Sequence, residues 1–335
     1  MSPLSHTPLS YIPSPPVSGI HIGPLFVHFY GLMYVIGIAL AVLITQRRLR
    51  ASGGDPSIVA DVALWAVPAG IIGGRIYFDI TTPAQISPHT WWGAFAVWNG
   101  GLGIWGGIAG GALAGIWRLR RHGVPFASFA DAVAPALLVA QAVGRIGNYF
   151  NQELFGKPTK LPWALVIDPA HRPAGYAAYR TFHPTFLYEL IFDLALAAVL
   201  VWLGHHAKIK PPGLFALYVT GYSAFRIFEE SLRIDYSAHF LGLRLNTFVA
   251  TALTIIGVIW FVLSQRRPPV AATSRAETSA EGGTAADEVA GAPDRGREAS
   301  EAGASAGDEG AAGEAQSGPG EGDAGIIPDT SGRRT

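Results

Sequence analysis

Cysteine is missing altogether. Its absence excludes disulfides, thiolate metal sites and a cysteine nucleophile, so any thiol chemistry must use a thiol carried by the substrate. Lysine and arginine are missing from residues 1–24, which hold prolines and serines instead. That excludes a secretory leader with a basic n-region, and these residues are expected to form a short extracytoplasmic segment. Aromatic residues are missing from 268–335, where Ala, Gly, Glu, Ser and Asp dominate. Such a stretch cannot bury enough surface to offset its ordering entropy, so a disordered acidic cytoplasmic tail is expected, with docking as its other open role. No metal-ligand spacing and no nucleotide-binding loop stands out, and neither a cofactor nor a bound metal is expected.

Hydrophobic residues, in contrast, make up 50% of the chain. They gather into stretches of about 20 residues, each long enough to cross a ~30 Å hydrocarbon core as a helix. Seven spans are expected, at Leu25–Thr45, Ile58–Asp79, Phe95–Trp117, Phe126–Val143, Pro184–Leu203, Gly213–Glu230 and Leu243–Leu263. The fold class is therefore an all-α integral membrane protein, with its transmembrane domain over residues 25–267. The formal charge of zero hides two opposite parts: residues 1–267 hold 19 Lys/Arg against 11 Asp/Glu (+8), and residues 268–335 hold 5 against 13 (−8). Arg47, Arg48 and Arg50 follow the first span, and Arg118, Arg120 and Arg121 the third; Lys208 and Lys210 follow the fifth, and Arg266 and Arg267 the seventh. Basic loops stay in the cytoplasm, so the N-terminus is expected outside and the C-terminus inside.

The densest polar cluster is Gly144-Arg145-Ile146-Gly147-Asn148-Tyr149-Phe150-Asn151-Gln152-Glu153-Leu154-Phe155-Gly156, directly after the fourth apolar run. Polar groups at that depth are costly unless paired or solvated, which makes the block a functional hypothesis by default. At 1.5 Å per helical residue, Arg75 and Arg145 lie roughly 26 and 28 Å from the cytoplasmic ends of their spans, and Arg226 about 20 Å. Tyr30, Trp98 and Asn99 enter from the other side and reach a similar height. Polar groups from five spans are thus expected to converge on one outer level.

Alternatives stand beside each residue. Arg145 snorkels to the outer headgroups, holds a loop, or builds an anion site with Asn148, Asn151 and Glu153. Arg75 either binds a headgroup or pairs with an acid. Arg226, Glu230 and Arg233 fall on one helical face, where Glu230 and Arg233 read as a structural ion-pair stripe, and Arg226 is open to pairing or ligand binding. His183 reads as a cap or interface residue and not as a base, and Asp131 and Asp193 as partners of polar groups within the bundle. In the third span Gly103, Gly107, Gly111 and Gly115 form a small-xxx-small face suited to close helix packing, with a ligand-facing role as the alternative. Arginines recognise phosphate through charge and a planar donor fork, so an anionic phospholipid headgroup is the ligand these residues suggest.

The thirteen-residue block resembles the signature of the bacterial prolipoprotein diacylglyceryl transferase family. So do Phe29-Tyr30-Gly31-Leu32-Met33-Tyr34, Gly73-Gly74-Arg75, Asn99-Gly100-Gly101-Leu102, His183-Pro184-Thr185 with Tyr188-Glu189, and Phe225-Arg226 with Glu230 and Arg233. The matches run in order from about residue 20 to 265, and the acidic tail outside them suggests an actinobacterial type. The resemblance implies transfer of an sn-1,2-diacylglyceryl group from phosphatidylglycerol to the lipobox cysteine of a preprolipoprotein that retains its signal peptide. A thioether forms and glycerol phosphate leaves. It further implies a multi-pass plasma-membrane (inner-membrane) enzyme of lipoprotein biosynthesis with its site toward the outer face. The implied partners are phosphatidylglycerol, lipobox signal peptides and membrane lipids, with no nucleic acid. Arg145 and Arg226 are implied as the catalytic residues that bind the phosphate and stabilise its departure. Asn148 and Glu153 orient the site, Gly156 allows the turn, Tyr30 and Glu230 support the lipid site, and Arg75 is a second-tier headgroup contact. Many family members carry a histidine where this chain has Trp105, whose indole cannot accept a proton. His28, Tyr30 and Glu153 are alternative bases, beside thiolate formation assisted by the arginines. The competing reading is a phospholipid or anion transporter.

Overall fold

Prolines mark the helix starts. Pro56, Pro125, Pro184 and Pro212 stand immediately before the first residues of four long helices, where a missing N–H removes no helical hydrogen bond. The computed structural model describes residues 11–83, 91–97, 100–235 and 237–266. The expected tail from Pro268 and the Trp98-Asn99 pair lie outside them. Seven long helices follow in order: α1 (Phe29–Ala51), α2 (Ser57–Thr81), α3 (Ile104–Arg121), α4 (Phe126–Asn151), α5 (Thr185–His206), α6 (Gly213–Leu232) and α7 (Leu245–Arg266). Three short antiparallel hairpins, β1–β2 (Gly19–Ile22 with Leu25–His28), β3–β4 (Leu165–Val166 with Thr181–Phe182) and β5–β6 (His239–Phe240 with Leu243–Arg244), lie between or before them.

Among the described residues, α1, α2, α4, α5 and α7 are long and apolar enough to cross a membrane. The other two are more heavily charged: α3 ends in Arg118, Arg120 and Arg121, and α6 carries Arg226, Glu229 and Glu230. Large apolar side chains face outward around the bundle, among them Leu64, Ile72, Ile80, Leu113, Trp202 and Ile255. An apolar exterior of this extent fits a lipid surround and not water.

Three element boundaries differ from the sequence expectation. The first helix starts at Phe29 instead of Leu25, because Leu25–His28 pair as a strand with Gly19–Ile22. The third starts at Ile104 instead of Phe95: Trp91–Phe95 form a 3-10 turn, and Gly100 and Gly101 take φ of +82° and +80°, a region that breaks a helix and suits glycine. The fourth continues past Val143 to Asn151, so most of the polar block is helical.

The helix α4 is central, packing on α1, α5 and α6. Leu138 and Ala134 of α4 meet Ala197 and Leu200 of α5 and Leu214 of α6. Phe129 and Ala132 meet Leu49, Ile58, Val59, Val62 and Leu119 of α1–α3. At the end of α4 that carries the polar block, Phe155, Leu165, Ile167, Phe182 and Phe186 form a separate small core under the β3–β4 hairpin.

The glycine face of α3 lies on α2. A side chain at Gly107 or Gly111 would meet the carbonyls of Gly70 or Ala66, and the tightest backbone approaches are made by Gly106 on Gly73 and Gly110 on Ala69. The packing reading of the face therefore holds, with Gly106 and Gly110 added to it. Gly106→Ala is expected to lower stability by about 1–3 kcal/mol, the usual cost of overpacking. Gly31→Ala, at a helical position with nothing within 4 Å, is expected to raise it slightly. Unfolding midpoints in detergent check the pair; the same sign for both would contradict the close-approach account.

Candidate active site

Arg145 sits six residues before the end of α4. Its Nη2 donates to Glu189 Oε1 at 2.5 Å, across the α4–α5 contact. Glu189 is on the first turns of α5 and its side chain is fully buried. The same Oε1 accepts from the Tyr222 hydroxyl of α6 at 2.9 Å, and Glu189 Oε2 lies 3.8 Å from Arg226 Nη1. One buried carboxylate therefore stands between the two arginines.

Tyr222, Arg226 and Glu230 are spaced four apart along α6 and share one face, with Glu229 beside them. Arg226 pairs with Glu229 and, at 2.9 Å, with Glu230. Glu230 accepts from Arg244 Nε at 2.5 Å and from Asn246 at 3.0 Å. Arg233 departs from the expected stripe. The helix ends at Leu232, and extended Arg233 turns to Asp235 at 2.6 Å and to Glu229 at 3.9 Å. Burial pushes the pKa of Asp235 up, but its hydrogen bond and charge contact with Arg233, together with Arg244, hold it below the usual carboxylate range.

The polar block turns back on itself after the helix. Gln152 and Leu154 adopt φ of 50° and 56°, a region uncommon for residues with a Cβ and maintained only where surroundings enforce it. The enforcing contacts are visible. Gln152 exchanges two hydrogen bonds with Asp168, at 2.6 and 2.9 Å, and Thr185 donates to the Leu154 carbonyl. The turn brings Glu153 back to accept from Asn148 at 2.9 Å and Asn151 at 3.3 Å. Asn148 in turn accepts from Arg145 at 3.4 Å. Gly156 donates its N–H to the His183 carbonyl at 2.9 Å, while Lys157 donates to the Leu232 carbonyl at 2.7 Å. A Cβ on Gly156 would touch His183, Thr185 and the Leu232 carbonyl at 2.9–3.0 Å. Here the loop after α4 is clamped between the start of α5 and the end of α6.

Tyr30 packs its ring on Gly147 of α4 and places its hydroxyl 3.0 Å from that of Tyr34. Arg75 does not join the cluster. Its guanidinium donates to the carbonyls of Gly93, Ala94, Gly100 and Gly101 at 2.7–3.2 Å and pairs with Asp79 at 3.0 Å. The residues expected on one outer level fall in two separate groups: Arg75 binds the unwound entry to α3, and Arg145 and Arg226 meet around Glu189. Of its two open roles, Arg75 takes the pairing with an acid, extended to backbone carbonyls. His183 shares a hydrogen bond with Tyr188 at 3.0 Å, and burial together with the Lys157 ammonium pushes its pKa down. Asp131 accepts from the backbone of Phe215 at 2.9 Å, as a partner within the bundle. Asp193 is the exception: fully buried, it has no hydrogen-bond partner for either oxygen among the described residues.

Tyr222, Glu229, Arg244 and Asn246 were not singled out from sequence, and Glu189 entered only as a motif match. The spacing of Tyr222 from Arg226 was a signal for the first. Arg244 offered none, because a lone arginine ahead of an apolar run reads as an interface residue.

A family model described as prolipoprotein diacylglyceryl transferase matches residues 18–263. A phosphatidylglycerol–prolipoprotein diacylglyceryl transferase of Frankia alni is 49% identical over 262 residues, covering 77% of this chain and 68% of its own. The corresponding protein of Cutibacterium acnes is 48% identical, covering 78% and 90%, and transferase 2 of Streptomyces coelicolor is 45% identical, covering 78% and 83%. A match over this much of the chain, running through all seven helices and the Arg145–Glu189–Arg226 cluster, establishes that the chain belongs to the prolipoprotein diacylglyceryl transferase family.

Proposed function

We propose that this membrane protein is a phosphatidylglycerol–prolipoprotein diacylglyceryl transferase. It moves the sn-1,2-diacylglyceryl group of phosphatidylglycerol onto the lipobox cysteine of a preprolipoprotein and releases glycerol phosphate. The observation that carries this reading is the pair Arg145 and Arg226, set on facing helices and held by one buried carboxylate. Fixed cations aimed at a departing phosphate stabilise charge that grows in the transition state. They also favour the thiolate form of a nearby thiol, whose free pKa is about 8.5. The absence of cysteine fits a nucleophile that arrives with its substrate.

In this reading the domain over residues 25–267 crosses the plasma membrane seven times, between an extracytoplasmic segment (1–24) and a cytoplasmic acidic tail (268–335). The basic residues closing α1, α3 and α7 support a cytoplasmic position for those ends and, with it, an arginine cluster toward the outer face. Asn148, Glu153 and Gly156 shape the phosphate site, Tyr30 lines its α1 side, and Glu230 with Arg244 and Asn246 fixes the Arg226 side. Arg75 acts at a distance, by holding the entry to α3. The relatives are named as transferases, which does not favour a transporter.

The deciding assay combines labelled phosphatidylglycerol with a lipobox peptide and reads the peptide mass. No mass shift on the thiol with wild-type protein would sink the enzyme reading. Trp105 is 43% exposed at the start of α3, and Trp105→Phe is expected to retain transfer within about threefold of wild type, since indole supplies only a donor. Loss to background by a folded variant would give Trp105 a chemical role.

A further inference from the structure

The β5–β6 hairpin joins α6 to α7 at the end of the bundle that carries the arginine cluster. His239 pairs with Arg244 and Phe240 with Leu243, which leaves a two-residue turn at Leu241-Gly242. Both turn residues lie at positive φ, 48° and 78°, as the I′ turn of a tight hairpin requires. Glycine takes the second position without strain. The first position favours Asn, Asp or Gly, because a short polar side chain bonds its own backbone there, whereas a bulky one crowds the following carbonyl. Leucine is a costly residue at that position, and hydration does not offset the strain.

Leu241 is nonetheless 81% exposed, and its neighbours Phe240 and Leu243 are 58% and 54% exposed. The three make an apolar tip. Leu245, and Ile255, Ile256 and Ile259 further along α7, are exposed as well. The tip thus continues the apolar exterior of a helix that is long and apolar enough to cross a membrane. Burying a leucine among acyl chains offsets the strain of its turn. The backbone limits the depth. Two short strands satisfy only part of each other's N–H and C=O groups, which suits the boundary between headgroups and acyl chains and not the hydrocarbon centre.

The other face of the hairpin is tied to the site. Adjacent residues of a strand point to opposite faces, so β6 carries Leu243 on the apolar side and Arg244 on the polar one. Arg244 Nε donates to Glu230 at 2.5 Å, and its Nη1 to the Asp235 carbonyl at 2.8 Å. Glu230 in turn pairs with Arg226 at 2.9 Å.

We propose that the tip formed by Phe240, Leu241 and Leu243 inserts among the acyl chains of the adjoining leaflet, and that insertion, acting through Arg244, positions the Glu230–Arg226 side of the site for a lipid donor lying in a bilayer. Insertion rests on the membrane setting alone; its effect on the donor rests on the transferase reading. Leu241 is a positioning residue and touches no reacting atom.

The chain has no cysteine, so Leu241→Cys and His239→Cys each give full-length protein a single site for a nitroxide label. In vesicles of phosphatidylglycerol and phosphatidylcholine, the label at 241 is expected to collide more often with oxygen, which partitions into lipid, than with a water-soluble nickel chelate. The label at 239, on the polar face, is expected to show the reverse preference. Leu243→Cys supplies the apolar-side label if Leu241→Cys does not fold. A label at 241 or 243 as accessible to nickel as the label at 239 overturns insertion. Transfer gives the second readout. Leu241→Asn keeps the turn, because asparagine suits its first position. With phosphatidylglycerol in vesicles its KM is expected to rise about tenfold, the scale of leaving one leucine unburied, while kcat stays within about twofold of wild type. With a short-chain phosphatidylglycerol dissolved as monomers and the protein in detergent, KM is expected to match wild type. An unchanged KM in vesicles, or an equal rise with both donors, overturns the positioning role. Absence of transfer by wild type would count against the transferase reading, and the nitroxide label still decides insertion.

Discussion

Arg145→Ala is expected to lower diacylglyceryl transfer by about 10²–10³-fold, the scale of losing one donor aimed at developing negative charge. A second effect accompanies it. The substitution leaves Glu189 buried without its 2.5 Å partner, and orphaning one member of a buried ion pair costs about 3–5 kcal/mol. The two effects separate in the double variant Arg145→Ala/Glu189→Gln, which removes the stranded charge. Its unfolding midpoint is expected to recover toward wild type while transfer stays low. Recovery of both would mean that Arg145 serves only to neutralise Glu189. Arg145→Lys is expected to recover little activity, because a point charge cannot span Glu189, Asn148 and a phosphate as a planar fork does.

Gly156→Ala is expected to reduce transfer by about 10²-fold while the protein still folds. The added methyl group meets three segments at once: the His183 and Thr185 side chains at 2.9 Å and the Leu232 carbonyl at 3.0 Å. Two of these belong to the entry of α5 and one to the end of α6, so none can yield without shifting the helices that carry Glu189 and Arg226. A displacement of about 1 Å at a positioned catalytic group costs on the order of 10²-fold in rate, against an overpacking cost of about 1–3 kcal/mol in stability. Transfer and thermal unfolding measured on the same preparation check this. Near-normal transfer by the folded variant would show that the clamp does not govern the separation of Arg145 and Arg226.

Much of the site was legible because a membrane makes polar residues conspicuous. Arg145, Asn148, Glu153 and Arg226 stand out from apolar runs, and each falls in one connected network around Glu189. Arg75 stood out for the same reason yet belongs to another structure, since sequence conveys its depth and not the direction of its guanidinium. Glu189 and Glu229 were underrated, because an acid within an apolar helix can serve any arginine in the bundle.

The amino-acid sequence by itself determined the helical class, the existence of seven long helices, the glycine face of α3 and the family of the chain. These follow from local properties: apolar run length, residue periodicity and a dense motif. Only the tertiary structure decided where the helices end, that Arg145 and Arg226 share one buried carboxylate, that Arg233 leaves the α6 stripe, and that Arg75 closes a loop. Those outcomes depend on contacts between residues far apart in the chain, such as Arg145 with Glu189 and Gly156 with Leu232. Such contacts form only when separate helices pack, and no single segment encodes which partner it meets.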